Sequence, residues 1–152
     1  MLALIQRVRS AEVKVDGRIV GSISTGMLVY VGIGLHDNKD YPHRLADKVA
    51  NLRIFEDSRG LMNLSVRDVH ADILVVPNFT LMADSRSGRR PSFTPAAKPK
   101  VAEPIYDNFV TALRDLVPTV ASGRFGEHMT IRSVADGPVN LLVEFPPAGA
   151  TE

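Results

Sequence analysis

The feature that most constrains this chain is the unbroken apolar run Ile73-Leu74-Val75-Val76, followed at once by Pro77. A strand with one wet face alternates apolar and polar residues. A run without alternation suits a strand covered on both faces. Pro77 has no N–H to donate and ends regular ladder pairing. Beyond it come Asn78, Phe79 and Thr80, then a loop carrying Arg86, Gly88, Arg89, Arg90 and Pro91. A buried strand thus delivers polar groups and guanidinium groups to one place, as a site for an anionic substrate would.

The rest of the chain supplies cover for that strand. Leu2 to Val8 reads as a first strand and Ala11 to Val15 as a second, with Val13 and Val15 on one face. Asp16-Gly17 marks a two-residue hairpin, and Ile19 to Ile23 returns as its partner. Met27 to Ile33 is almost wholly apolar and reads as a central strand. Tyr41 to Phe55 has helical periodicity through Leu45, Val49 and Leu52, with Pro42 in its first turn. Leu61 to Val66 reads as a strand or an irregular loop. A second helix is predicted over Ala102 to Val117, with Ile105, Phe109, Leu113 (or Ala112) and Leu116 as its stripe. Val120 to His128 reads as loop, Met129 to Val134 as strand, Asp136-Gly137-Pro138 as a turn, and Leu141 to Phe145 as the last strand. Helices and strands do not alternate regularly, so a doubly wound sheet is excluded. The order predicts a mixed α+β domain over residues 1–145, a sheet curling into a barrel with two packing helices, and a disordered tail over 146–152.

Composition narrows the chemistry. The chain has 152 residues, a formal charge of +1 and no cysteine. Cysteine nucleophiles, disulfides and thiolate metal sites are therefore excluded. A near-neutral total means that nucleic acid must be met by a local patch. The apolar run from Met27 to Leu35 is interrupted by Gly32 and Gly34 and falls far below the roughly 20 residues of a membrane span. No signal-peptide core is present at the start. A soluble, cytoplasmic protein is expected.

Standard catalytic signatures are missing. There is no G-x-S-x-G elbow and no phosphate-binding glycine loop opening a helix. His36, His43, His70 and His128 lack the i, i+4 spacing of a zinc helix. Thr80 is either a nucleophile awaiting a base or a strand-end hydroxyl bonding its own loop; nothing local supplies the base. Between Asp84 and Lys100 the basic residues Arg86, Arg89, Arg90, Lys98 and Lys100 face the single acid Asp84. That stretch is a phosphate-binding surface or a solvated loop.

Several long segments, in order and in register, resemble one family. M-L-A-L-I-Q-R-V-R-S-A-E-V-K-V-D-G-R-I-V-G opens the chain. L-A-D-K-V-A-N-L-R-I-F-E-D and G-L-M-N-L-S follow, then N-F-T-L-M-A-D-S-R-S-G-R-R-P-S-F-T, G-R-F-G-E-H-M and D-G-P-V-N. Together they look like a D-aminoacyl-tRNA deacylase across residues 1–145. The resemblance implies that family's β-barrel-like α/β fold, a homodimer, and an aminoacyl-tRNA substrate. The implied reaction is hydrolysis of the ester to the terminal ribose, releasing D-amino acids, and glycine mischarged on tRNA. It implies no metal, no other cofactor, and no membrane or DNA partner.

The resemblance also implies residue roles. Asn78, Phe79 and Thr80 fall at the catalytic strand end, where main-chain N–H groups hold the oxyanion. Water attacks the carbonyl with help from the tRNA 2′-OH. Gly137 and Pro138 match a cis pair that enters the partner subunit's pocket and excludes L side chains. Arg7 and Asn140 match supporting positions beside that pair, and Arg86, Arg89 and Arg90 match a tRNA-facing flank. The family's usual S-Q-F-T-L reads Pro77-Asn78-Phe79-Thr80-Leu81 here, and its G-P-V-T reads G-P-V-Asn140. A branch with Pro at the first position removes L-alanine from mischarged tRNA. Two alternatives to the leading expectation follow: an L-alanyl editing deacylase, or a non-catalytic tRNA-binding module.

Overall fold

The computed structural model describes residues 1–146; residues 147–152, most of the expected tail, lie outside the described residues. The elements are β1 (Leu2–Val15), β2 (Arg18–Ile23), β3 (Gly26–Gly32), α1 (Tyr41–Ala50), β4 (Phe55–Glu56), β5 (Met62–Leu64), β6 (Asp72–Pro77), α2 (Pro99–Leu116), β7 (Val120–Ser122) and β8 (Thr130–Glu144). A 3₁₀ turn, Phe79–Met82, follows β6. The main sheet is six-stranded, in the order β2-β1-β3-β6-β7, with β8 along the other side of β1. The small β4–β5 pair stands apart from it.

The apolar run lies where it was expected. β6 pairs in parallel with β3 on one side and with β7 on the other. Ile73 and Val75 face a core shared with the helices, while Leu74 and Val76 face a second core with Val8, Val13, Ile23 and Leu28. The sheet curls so tightly that a side chain on Gly21 of β2 would meet the Ser122 carbonyl of β7 at 2.9 Å. This is the barrel-like mixed sheet predicted above, its inside filled by the second core and its outside covered by α1 and α2. The Asp16-Gly17 turn is also as read, with φ of 49° and 75°, the left-handed pair that a tight hairpin requires.

Four readings need correction. The two expected N-terminal strands are one 14-residue strand. Its ladder with β8 shifts on both sides of Val8. The irregularity swaps faces: Ala3 and Ile5 belong to the helix-side core, Ala11 and Val13 to the barrel interior. One extra residue in a strand flips every later side chain in this way. Secondly, α1 stops at Ala50, where Asn51 N–H bonds the Asp47 carbonyl at 3.2 Å; Phe55 is buried as a strand residue instead. Thirdly, α2 begins at Pro99, so Pro104 lies inside the helix rather than in its first turn. Fourthly, Val120 to Ser122 is a strand, and the expected turn at Asp136-Gly137-Pro138 is a bulge within β8, not a hairpin end.

Candidate active site

β6 ends where β7 has already stopped pairing, at Val75 opposite Ser122. The missing N–H of Pro77 therefore costs no ladder bond on that side. The next residue re-engages: Asn78 N–H donates to the Val31 carbonyl at 2.8 Å. Asn78 then caps the 3₁₀ turn, its side-chain oxygen accepting from Thr80 N–H at 3.1 Å and from the Thr80 hydroxyl. Asn is a favoured cap because its short arm reaches the next free N–H groups. Leu81 N–H closes on the Asn78 carbonyl at 3.3 Å. Among the described residues, Phe79 N–H alone of the four backbone donors from Asn78 to Leu81 meets no acceptor.

Asn78 and Phe79 line a cavity of about 620 Å³ together with Val31, Ile33, Phe93, Ala97, Phe125 and Met129. Phe79 and Phe93 are exposed and meet edge to face, with ring centroids 5.2 Å apart. The strand that leads to Asn78 is tied to α2. Tyr106 of α2 donates its hydroxyl to the Val75 carbonyl at 3.3 Å, and burial pushes its phenol pKa up, so it stays a donor. The wall formed by Ala96 and Ala97 is pinned beyond the end of β3, through Leu35 N–H to the Pro95 carbonyl and Ala97 N–H to the Ile33 carbonyl, each 3.0 Å. The Thr80 hydroxyl has the Asn78 amide oxygen as its partner. Among the described residues no base hydrogen-bonds to it, which favours the strand-end reading of this residue over the nucleophile.

The arginine loop is a closed hairpin. Asp84 and Ser92 exchange two backbone hydrogen bonds of 2.8 Å, and Gly88 turns with φ 72°. Arg86 does not project freely. Its Nε and Nη2 grip the Asp84 carboxylate at 2.9 and 2.7 Å. The side-chain bonds from Arg86, and then the bond from its backbone N–H, hold the Asp84 carboxyl far below the usual carboxylate range. Arg89 and Arg90 are exposed and make no ion pair among the described residues. Of the three arginines, these two present unneutralised charge.

Gly137 and Pro138 are elsewhere. Gln6 pairs with Asn140 and Val8 with Ala135, so Asp136 to Val139 bulge out opposite Arg7 alone. Arg7 is 6% exposed. Its Nη1 donates to the Ile54 carbonyl at 2.7 Å, and its Nε lies 3.1 Å from the Asp136 carboxylate. Arg9 holds the other Asp136 oxygen at 3.2 Å. Gln6 straps the bulge from both sides, donating to Asn140 Oδ1 at 3.0 Å and accepting from the Ser133 hydroxyl at 3.2 Å. The Gly137-Pro138 peptide is cis, both residues are exposed, and Gly137 has φ 123°. Neither residue, nor Arg7 or Asn140, lines the cavity beside Phe79. Within one chain the two halves of the expected site are separate.

Sequence reasoning missed Gln6, Asp136 and Arg9 as supports of the bulge. The register of β1 against β8 is what exposes them, and no local motif carries that register. It also missed the 3₁₀ turn, although Asn before a short apolar stretch is a recognised cap signal. Among the described residues no group of three His, Cys, Asp or Glu gathers to hold a metal. No helix among them is long and apolar enough to cross a membrane.

Known proteins resemble this chain in sequence and fold. A D-aminoacyl-tRNA deacylase of Thermosipho africanus is 47% identical over 144 residues, covering 95% of this chain and 97% of the relative. That of Brevibacillus brevis is 49% identical, with 95% and 99% covered. A solved structure titled c-Myc DNA unwinding element binding protein superposes with a TM-score of 0.91 at 36% identity, covering 96% of this chain and 99% of that one. A probable eukaryotic D-amino acid tRNA deacylase shares the fold, with a TM-score of 0.81 at 17% identity and 93% of this chain covered. The family model described as D-Tyr-tRNA(Tyr) deacylase matches residues 4–144. It takes in both the capped strand end and the Arg7-held bulge, and the chain therefore belongs to the D-Tyr-tRNA(Tyr) deacylase family.

Proposed function

We propose that this protein hydrolyses the ester of D-aminoacyl-tRNA, and of glycine mischarged on tRNA, and works as a homodimer in the cytoplasm. The observation that carries the reading is the strand end itself. It offers one open main-chain donor, the N–H of Phe79, on a residue that lines a largely apolar cavity, and its neighbours are already satisfied. The cavity, with its aromatic edges, takes the adenosine end of the tRNA. The ester carbonyl oxygen accepts from Phe79 N–H. Water adds to the carbonyl carbon, and the same N–H holds the oxyanion that forms. One such donor is worth about 10²–10³ in rate. The intermediate collapses by expelling the ribose oxygen, with the vicinal 2′-OH of the tRNA carrying the proton. Thr80 contributes backbone position, not a nucleophile.

Chirality is read by a second copy. The exposed Gly137-Pro138 bulge enters the partner's cavity, where its carbonyl oxygens meet the substrate's α-amino group and leave no room for an L side chain. Exclusion of that kind accepts many D residues without gripping any. Arg7 and Asn140 hold the bulge in shape, and Arg89 and Arg90 meet phosphates of the acceptor end while Arg86 fixes their hairpin.

The test is release of amino acid from D- and L-aminoacylated tRNA. Preferential release of the D form supports the proposal. Preferential release of L-alanine supports the reading raised by Pro77, and tight salt-sensitive binding without turnover supports a tRNA-binding module.

A further inference from the structure

Arg53, Arg67 and His70 line a second cleft, of about 570 Å³, together with Asn51, Ser65, Asp68 and Leu116. It lies at the opposite end of β6 from Asn78: His70 precedes the strand and Asn78 follows it. At about 3.3 Å per residue this places it on the order of 20 Å from the active site.

The cleft is framed by backbone hydrogen bonds, and its two guanidinium groups face a single carboxylate, Asp68. The 65–71 turn is closed by Val69 N–H to the Ser65 carbonyl at 3.2 Å, His70 N–H to the Arg67 carbonyl at 3.3 Å and Ala71 N–H to the Val66 carbonyl at 3.0 Å. Arg67 and His70 are therefore held on one short frame. The partners of the two guanidinium groups are neutral: Arg67 donates to Asn51 Oδ1 at 3.2 Å, and Arg53 to Asn63 Oδ1 at 3.5 Å. Among the described residues Asp68 is the one carboxylate in the lining; the Ser65 hydroxyl at 2.7 Å and Ser65 N–H at 2.8 Å, and then the nearby charges of Arg53 and Arg67, lower its pKa. The end of α1 also points here, but its Asp47 carbonyl is taken by Asn51 N–H and Nδ2, and its Val49 carbonyl by Leu52 N–H. Two forked cations that hydrogen-bond only amide oxygens, with one carboxylate between them, keep an excess of positive charge suited to the oxygens of a phosphate.

We propose that the Arg53–Arg67–His70 cleft is a second anion site that binds a phosphate ester. It goes beyond the deacylase reading and does not depend on it. The phosphate belongs either to a small free ester or to the tRNA backbone, and two arms separate these. In the first, ¹H–¹⁵N spectra of the full chain are followed on adding inorganic phosphate and methyl phosphate at constant ionic strength. In the second, binding of deacylated tRNA is measured for wild type, Arg67→Gln and Arg67→Lys. Thermal midpoints establish that the variants are folded.

Saturable shifts confined to residues 51–53 and 65–70, weakened about tenfold in Arg67→Gln and less in Arg67→Lys, support a small-ester site. An unresponsive first arm with a severalfold loss of tRNA affinity in Arg67→Gln supports a backbone contact. If neither arm responds to Arg67→Gln, the proposal is overturned. Deacylation is scored separately, so failure of this inference leaves the enzymatic reading untouched.

Discussion

Arg7 Nε sits 3.1 Å from the Asp136 carboxylate, and the Arg7 side chain is 8% exposed. This pair turns a strand irregularity into a fixed projection. The same guanidinium ties the bulge to the Ile54 carbonyl at 2.7 Å. It links three segments that are distant in the sequence: β1, the residue before β4, and β8.

Replacing Arg7 therefore has two consequences. Arg7→Met leaves the Asp136 carboxylate without its buried partner and the Ile54 carbonyl without a donor. A loss of about 3 kcal/mol is expected, read from urea unfolding. Arg7→Lys keeps the charge but cannot reach both sites with one fork. It is expected to fold, and to lose D-over-L selectivity more than overall turnover. Full selectivity in Arg7→Lys would separate the bulge from chiral choice.

Gly137 tests the same projection from the other side. From the sequence alone, Gly137→Ala is expected to cost activity and chiral discrimination more than stability. The backbone adds a local cost, because φ is 123° and a Cβ would meet Val139 N at 2.8 Å. The variant is expected to lose activity and selectivity together with a modest drop in unfolding midpoint, of the order of 1 kcal/mol. Unchanged D/L selectivity would contradict the cross-subunit role.

At the strand end, Asn78→Ala removes the cap from Thr80 N–H. A stability cost of about 1 kcal/mol is expected, with a larger loss in rate as the Phe79 donor loses its setting. Thr80→Val removes only the hydroxyl and is expected to retain substantial activity. A folded but inactive Thr80→Val would restore the nucleophile.

The arginine hairpin predicts unequal salt effects. Arg89→Ala and Arg90→Ala are each expected to reduce the slope of log tRNA affinity against log salt by roughly 0.7–0.9. Arg86→Gln removes a charge already spent on Asp84 and is expected to change the slope less.

Acid sensitivity follows from three carboxylates whose folded pKa values are lowered. Asp57 is lowered first by the Leu61 backbone N–H, Asp68 by the Ser65 hydroxyl, and Asp84 by the Arg86 side chain. A depressed folded pKa means the unfolded chain binds protons first as pH falls. The stabilisation is present above the ordinary carboxylate value and is lost below it. Urea midpoints are expected to fall from pH 5 towards pH 2.5, with a shallower fall in the Asp57→Asn, Asp68→Asn, Asp84→Asn triple variant.

The core was legible because its cause is local. Ile73 to Val76 carries its own two-sided burial, and Asp16-Gly17 its own turn. The bulge was not, because a register set between Gln6 and Asn140 leaves no mark on either segment. For the same reason Leu2 to Val15 reads as two strands: the alternation breaks at Arg9 and Ser10, and only the pairing with β8 shows that the chain continues. Arg86 reads as a phosphate ligand until the hairpin brings Asp84 against it. The strand-end and bulge residues were named through family resemblance, and their separation within one chain emerged only from the fold.

The most direct measurement is release of amino acid from one tRNA charged with either the D or the L enantiomer, in the presence of a metal chelator. The account predicts rapid release of the D form, retention of the L form, and no effect of the chelator. Equal release of both, release of neither, or loss of activity in chelator would contradict it.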